Sequence, residues 1–175
     1  MGAFPWLALA FLAYTLIKAI FFTDRTPIPE TSNNVHKITS AAQLKKLLSS
    51  TRYVVVDFYA DWCPPCRAIA PIFSQLAEAH GGEGAQGKLA FAKVNVDHVK
   101  DVAGEFGVSA MPTFVFFRDG LPSGVDVRGA VGARSSVVTT ADGLVERVRG
   151  ADKVALETVV KALAAEFGGP AEKEG

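Results

Sequence analysis

Cysteine and histidine are scarce in this chain. Among 175 residues there are two cysteines, Cys63 and Cys66, and three scattered histidines, His36, His80 and His98. A structural zinc site takes about four ligands, so these side chains do not build one within a single chain, and no metal is expected. A disulfide staple across so short a spacing would remove little entropy from the unfolded chain. An excess of charge of either sign is missing too. Lys plus Arg and Asp plus Glu each number 18, giving a formal net charge of zero. With no basic stripe and no acidic tail, nucleic acid is not an expected partner. Internal repeats are absent as well. A redox couple is the reading that the cysteine spacing favours, with a staple or half of a metal site as the alternatives.

What the chain does have is apolar mass. Hydrophobic residues make up 49% of it, enough for one domain with a sizeable core. The first stretch, MGAFPWLALAFLAYTLIKAIFF (1–22), is nearly free of charge. It lacks the basic start and small-residue cleavage site of a signal peptide, and the Arg/Ser amphipathy of a mitochondrial presequence. The expectation is therefore an uncleaved, single-pass membrane anchor, with the lipid bilayer as a partner. Lys18 and Arg25 follow its apolar body and no Lys or Arg precedes it. The positive-inside bias then places the rest of the chain in the cytosol; a secretory lumen, the periplasm or a mitochondrion are the alternatives. Residues 23–34, with two prolines and many polar side chains, read as a linker. A polar tail is expected over 169–175.

Between linker and tail, β and α patterns alternate. A short apolar segment, Val35–Ile38, precedes a helix opened by Ser40 and Gln43 in capping-box spacing. YVVVDFYA (53–60) is a β-branched apolar run, the pattern of a strand covered on both faces. Its one charge is Asp57. A helix begins at the cysteines, repeats Ile69, Ile72, Phe73 and Leu76 on one face, and stops at Gly81-Gly82. Pro71 in its interior should kink it. LAFAKVNV (89–96) is a second long strand, and a short helix follows over Val99–Phe106. TFVFFRDG (113–120) and LVERVRG (144–150) pair as a hairpin, and a helix through Leu156, Val159, Val160, Leu163 and Phe167 closes the domain. The order βαβαβαββα implies an α/β fold with helices on both faces of the sheet.

A dithiol couple needs one thiol that ionises readily and a second within reach. Cys63 falls where a strand gives way to a helix, so it should meet the unpaired N–H groups and positive dipole end of that helix. Cys66 lies one turn on. Pro64 and Pro65 suit a first turn, where a missing N–H costs little.

VDFYADWCPPCRAIAP, then AKVNVD, GVSAMPTFVFF, a glycine-bearing turn and RGAD together resemble the thioredoxin family. The resemblance runs over a domain at 35–168, apart from an insertion at 121–143. It implies a thioredoxin fold, three α/β/α layers around a mixed five-stranded sheet. It implies that Cys63 is the nucleophile and Cys66 the resolving thiol, and that Asp57 is the general base paired with Lys93. Burial in an apolar strand should also raise the Asp57 pKa, which suits a base. Trp62, Met111, Pro112 and Gly150 would bind substrate. A proline opening a strand is ordinarily trans; the resemblance implies cis for Met111–Pro112.

The family likeness further implies a disulfide reductase acting on disulfide-containing proteins. No cofactor would be bound, and electrons would come from NADPH through a thioredoxin reductase. An oxidase or isomerase in an oxidising lumen is the alternative use of the same residues. A peptide-binding module without turnover is another, against which the two intact cysteines argue. Two departures stand out. Pro-Pro replaces the usual Gly-Pro between the cysteines, and LPSGVDVRGAVGARSSVVTTADG (121–143) separates two strands that a tight turn would join. The insertion reads as a lengthened hairpin or an unstructured excursion, remote from the cysteines because a strand of about 3.3 Å per residue carries it away.

Overall fold

The computed structural model describes residues 4–21, 24–29, 31–82 and 87–167. The polar tail expected at 169–175 lies outside the described residues.

Strand β1 (Val35–Ile38) leads to α2 (Ala41–Ser50), after a first helix, α1 (Phe4–Phe21). Ser40 caps α2 through its hydroxyl, which accepts from the Gln43 N–H. The Gln43 side chain reaches back to the Thr39 N–H at 2.9 Å, so two otherwise unpaired donors at this helix start are satisfied. Strand β2 (Tyr53–Tyr59) is followed by α3 (Pro64–His80), β3 (Leu89–Asn95), α4 (Lys100–Glu105) and β4 (Thr113–Arg118). The insertion contributes β5 (Leu121–Pro122) and β6 (Val137–Thr139), before β7 (Val145–Arg149) and α5 (Lys153–Phe167). Helix α3 runs through Pro71 as one element.

The strands pair in the order β1-β3-β2-β4-β7-β6, with β5 on β4. β1, β3 and β2 are parallel, whereas β4 is antiparallel to β2 and β7 to β4. Five of these strands form the expected mixed central sheet, and β5 and β6 extend it. Side-chain alternation sorts the core into two layers. Val54, Val56, Phe58, Val115 and Phe117 meet Leu44 and Leu48 of α2 and Val102 of α4. Tyr53, Val55, Phe91, Phe114 and Phe116 meet Phe73 and Leu76 of α3 and Leu156, Val159 and Leu163 of α5. The resulting three layers, α/β/α, are the thioredoxin fold that the family resemblance implied.

Three expectations change. The single-pass anchor over 1–22, with the bilayer as its partner and a cytosolic face for the domain, is overturned. Among the described residues no helix is long and apolar enough to cross a membrane. Helix α1 has 18 residues, so at about 1.5 Å per residue it is shorter than a hydrocarbon core of roughly 30 Å. Lys18 also lies in its last turn. Within the stretch read as a linker, Ile28 and Ser32 instead pack on the domain, both 7% exposed.

The insertion, finally, is neither an unstructured excursion nor wholly remote. Val125, Val127 and Val131 are buried in the same cluster as Phe73 and Phe114. Its return leg runs beside β7, where Val137 lies opposite Val148. The Ser136 carbonyl accepts from the Arg149 N–H at 2.7 Å, one residue before Gly150. The apolar valines among many small residues were the signal for this packing. Val125→Ala should therefore lower unfolding stability by roughly 1–3 kcal/mol, as expected for emptying a filled core position. Denaturant midpoints of the two proteins would measure it.

Candidate active site

The strand ends nearest the residues proposed for the site lie at one end of the sheet. Register pairs Tyr59 at the end of β2 with Asn95 at the end of β3. It also pairs Phe58 with Thr113 at the start of β4, and Thr113 with Arg149 at the end of β7. Four strands thus deliver their connecting segments to the same edge. The segment after β2 carries Trp62 and the cysteines; the one before β4 carries Met111 and Pro112; the one after β7 carries Gly150.

Cys63 and Cys66 are joined by a disulfide, with their Cα atoms 5.3 Å apart. Cys63 is the N-cap of α3, and Pro64 and Pro65 fill its first two positions. An N-cap side chain normally accepts from the second or third helical N–H. The second belongs to a proline here, so the bond goes to the third, Cys66 N–H to Cys63 Sγ at 3.2 Å. Both residues are nearly buried, Cys63 at 3% and Cys66 at 1% exposure. Trp62 is 39% exposed, and its indole N–H donates to Asp97 Oδ2 at 2.8 Å. The Met111–Pro112 peptide bond is cis. The Pro112 carbonyl accepts from the Gly150 N–H at 2.7 Å, which locks these two segments together. Gly150 has φ of +78°, a conformation costly for a side-chain-bearing residue, although a Cβ there would meet no neighbour.

Residues that the pattern did not single out complete the surroundings. Asp61 accepts from the Asn95 side-chain amide at 2.9 Å and from the Ile28 N–H at 3.1 Å. Arg67, next to Cys66, donates to the carbonyls of Thr26 at 2.6 Å and Asp61 at 2.8 Å. It also lies 3.5 Å from the Asp24 carboxylate. Ile28 packs in one cluster with Tyr59, Ala60, Cys63 and Cys66. Its lone branched apolar side chain in a polar, proline-bearing stretch was the available signal.

Two residues before the end of β2 lies Asp57, 4% exposed. Its register partner on β3 is Lys93, whose ammonium sits 4.9 Å from the centre of the Tyr59 ring. The two residues face a cavity offering about 10 Å³ to the centre of a water molecule, also lined by Ile28, Pro29, Val35, Ala70 and Ser74. That is the room of about one water. Among the described residues, Asp57 Oδ1 has no hydrogen-bond partner. Burial pushes its carboxyl up to about 7, against a smaller opposing pull from the Lys93 ammonium. Because the folded value exceeds the unfolded one, the folded state binds the extra proton, and stability falls as pH rises from about 4 through about 7. Asp57→Asn removes that penalty. It should stabilise the protein by a few kcal/mol at about pH 8, at most about 4 kcal/mol, with the gain fading as pH falls towards about 4. Urea titrations at the two pH values test this.

A thioredoxin family model matches residues 34–141. Similar proteins include the thioredoxin of Neurospora crassa, 45% identical over 117 residues that cover 67% of this chain and 88% of that one. A thioredoxin-like protein of Fusarium culmorum is 63% identical over 86 residues, covering 49% and 69%. Among solved structures, the thioredoxin of Malassezia sympodialis superposes with a TM-score of 0.56 at 30% identity, over 80% of this chain and 98% of that one. Fold, redox pair and these relatives converge: the chain belongs to the thioredoxin family, and its Cys63–Cys66 couple is a thiol–disulfide redox centre that reduces disulfides through a mixed disulfide.

Proposed function

We propose that Cys63 is the attacking thiolate of a protein-disulfide reductase, Cys66 the resolving thiol, and Asp57 the base for the resolving step. The observation that carries this reading is the buried Asp57 carboxyl in a cavity with room for about one water, whose walls include Ile28, Tyr59 and Ala70 from the cluster that packs on Cys63 and Cys66. In the reduced protein, the Cys63 thiolate attacks one sulfur of a substrate disulfide. A Cys63–substrate S–S bond forms, the substrate disulfide breaks, and the departing sulfur leaves as a thiolate that takes up a proton. Cys66 then gives its proton towards Asp57 and attacks the Cys63 sulfur. The Cys63–Cys66 bond forms as the mixed disulfide breaks, and the second substrate sulfur leaves as a thiolate. Two electrons have passed from the cysteine pair to the substrate.

Each supporting residue has a physical task in this scheme. The Cys66 N–H, aimed at the Cys63 sulfur, favours negative charge there. Lys93 tempers the cost of a charge on Asp57, whose burial alone would hold it neutral. Trp62 offers an exposed aromatic surface beside the pair, and the tied Met111, Pro112 and Gly150 segments give a firm edge for the backbone of a disulfide-containing protein. The Cys63–Cys66 disulfide is returned to the dithiol by a thioredoxin reductase that draws on NADPH, with no cofactor bound to this chain. The family membership supports that electron source.

Cys63→Ser should abolish turnover with a protein-disulfide substrate, whereas Cys66→Ser should accumulate a mixed disulfide stable on non-reducing gels. A Cys66→Ser protein that collects no adduct would overturn the assigned order of attack. The resolving step should speed up as pH rises through about 7, because Asp57 must lose its proton to act. Asp57→Asn should slow that step by at least about 10²-fold, the usual lower contribution of a positioned base, and should erase the inflection. Single-turnover release of the second substrate thiol reads both.

A further inference from the structure

The segment 24–29 runs directly over the redox end of the domain, and several independent contacts hold it there. Arg67 grips it from α3 through the Thr26 carbonyl and the Asp24 carboxylate. Asp61 holds the Ile28 N–H, and Asp61 is itself braced by Asn95 from the end of β3. Asp24 closes a small turn of its own by accepting from the Thr26 N–H at 2.9 Å and the Thr26 hydroxyl at 2.7 Å. The effect is to press one apolar side chain inward. Ile28 reaches the cluster that holds Cys63, Cys66, Tyr59 and Ala60, and with Pro29 it forms part of the wall of the Asp57 cavity.

We propose that Ile28, held down by this strap, is a positioning residue for the proton transfer at Cys66, because it forms part of the wall that separates the Asp57 carboxyl from bulk water. The inference rests on the assignment of Asp57 as the base and extends it to a residue outside the 35–168 domain expected from sequence. The groups facing the carboxyl from the packed elements are few. β3 contributes Lys93, β2 contributes Tyr59, and α3 contributes Ser74 with no charge. β4 places Phe114 opposite Asp57, and the strap adds only Ile28 and Pro29 to the lining. The charged partners of the strap, Asp24, Asp61 and Arg67, are engaged in the clamp itself. The strap's contribution to the cavity is therefore the exclusion of water, not charge. Desolvation is the larger of the two influences on this carboxyl, and it acts opposite to Lys93. Thinning the wall lets water in and weakens that influence, so the ionised form gains.

The test uses the full chain with Ile28→Ala and the conservative Ile28→Val, each checked for an unchanged circular dichroism spectrum. The Asp57 carboxyl is followed by ¹³C NMR titration, and the resolving step by single-turnover kinetics across the same pH range. Ile28→Ala should lower the carboxyl midpoint by about 1 pH unit, within the range that desolvation commands, and should carry the kinetic inflection down with it. Ile28→Val should leave both where the wild-type protein has them. In an Asp57→Asn background, Ile28→Ala should leave the resolving rate unchanged. A folded Ile28→Ala protein with a wild-type carboxyl midpoint overturns the proposal. So does an equal effect of Ile28→Ala on resolution with and without Asp57. A midpoint that moves while the kinetics stay still would uphold the strap as the wall of the cavity and overturn Asp57 as the base, and with it the role of Ile28 in proton transfer.

Discussion

Strand β2 is buried along its whole length, all seven residues from Tyr53 to Tyr59, and the single charge among them lies near its functional end. That one constraint, a carboxyl carried into the interior by a central strand, organises much of what surrounds it. The strand is central because β3 and β4 flank it on either side. Its alternating side chains divide between the two helical layers, and Asp57 falls on the same face as Val55, towards α3. The carboxyl therefore lies under the very helix whose start holds the disulfide.

A buried carboxylate is costly unless it is paired or neutral. Here both partial remedies are present. Lys93 is its register partner on β3, and desolvation raises the carboxyl far enough that the neutral form is populated near neutral pH. The fold tolerates the expense because the rest of β2 is apolar and packed on both faces. An acid with a pKa near neutrality is one that can exchange a proton at neutral pH. The stability cost and the carboxyl's titration near neutral pH are two consequences of one burial.

Two segments outside the repeating βα pattern converge on the same end of the sheet. The 24–29 strap is clamped by Asp61 and Arg67, which flank the cysteine motif on either side. The returning leg of the insertion reaches Asp152, which accepts from Ser136 at 2.6 Å and pairs with Arg134 at 3.2 Å. Both are held chiefly by polar contacts to residues close to the site, with a few apolar side chains set into the core. The redox end is thus more heavily braced than a bare βα framework would make it.

Much was legible in the sequence. The apolar β-branched run at 53–59, the heptad-like spacing of Ile69, Phe73 and Leu76, and the capping residues at Ser40 are local patterns whose physical meaning needs no partner. Cys63 and Cys66, three positions apart at a strand-to-helix junction, pointed to a redox couple for the same reason. The long apolar start misled, because composition signals hydrophobicity without fixing how much uninterrupted helix results. What the sequence by itself determined was the set of elements, their order, and the chemistry available at the junction after β2. Only the tertiary structure decided that Ile28 docks beside the cysteines, that Val125, Val127 and Val131 enter the core, and that Ser136 reaches the Gly150 edge. Those are contacts between residues far apart in the chain, and their free energy depends on shape and burial that no local pattern encodes.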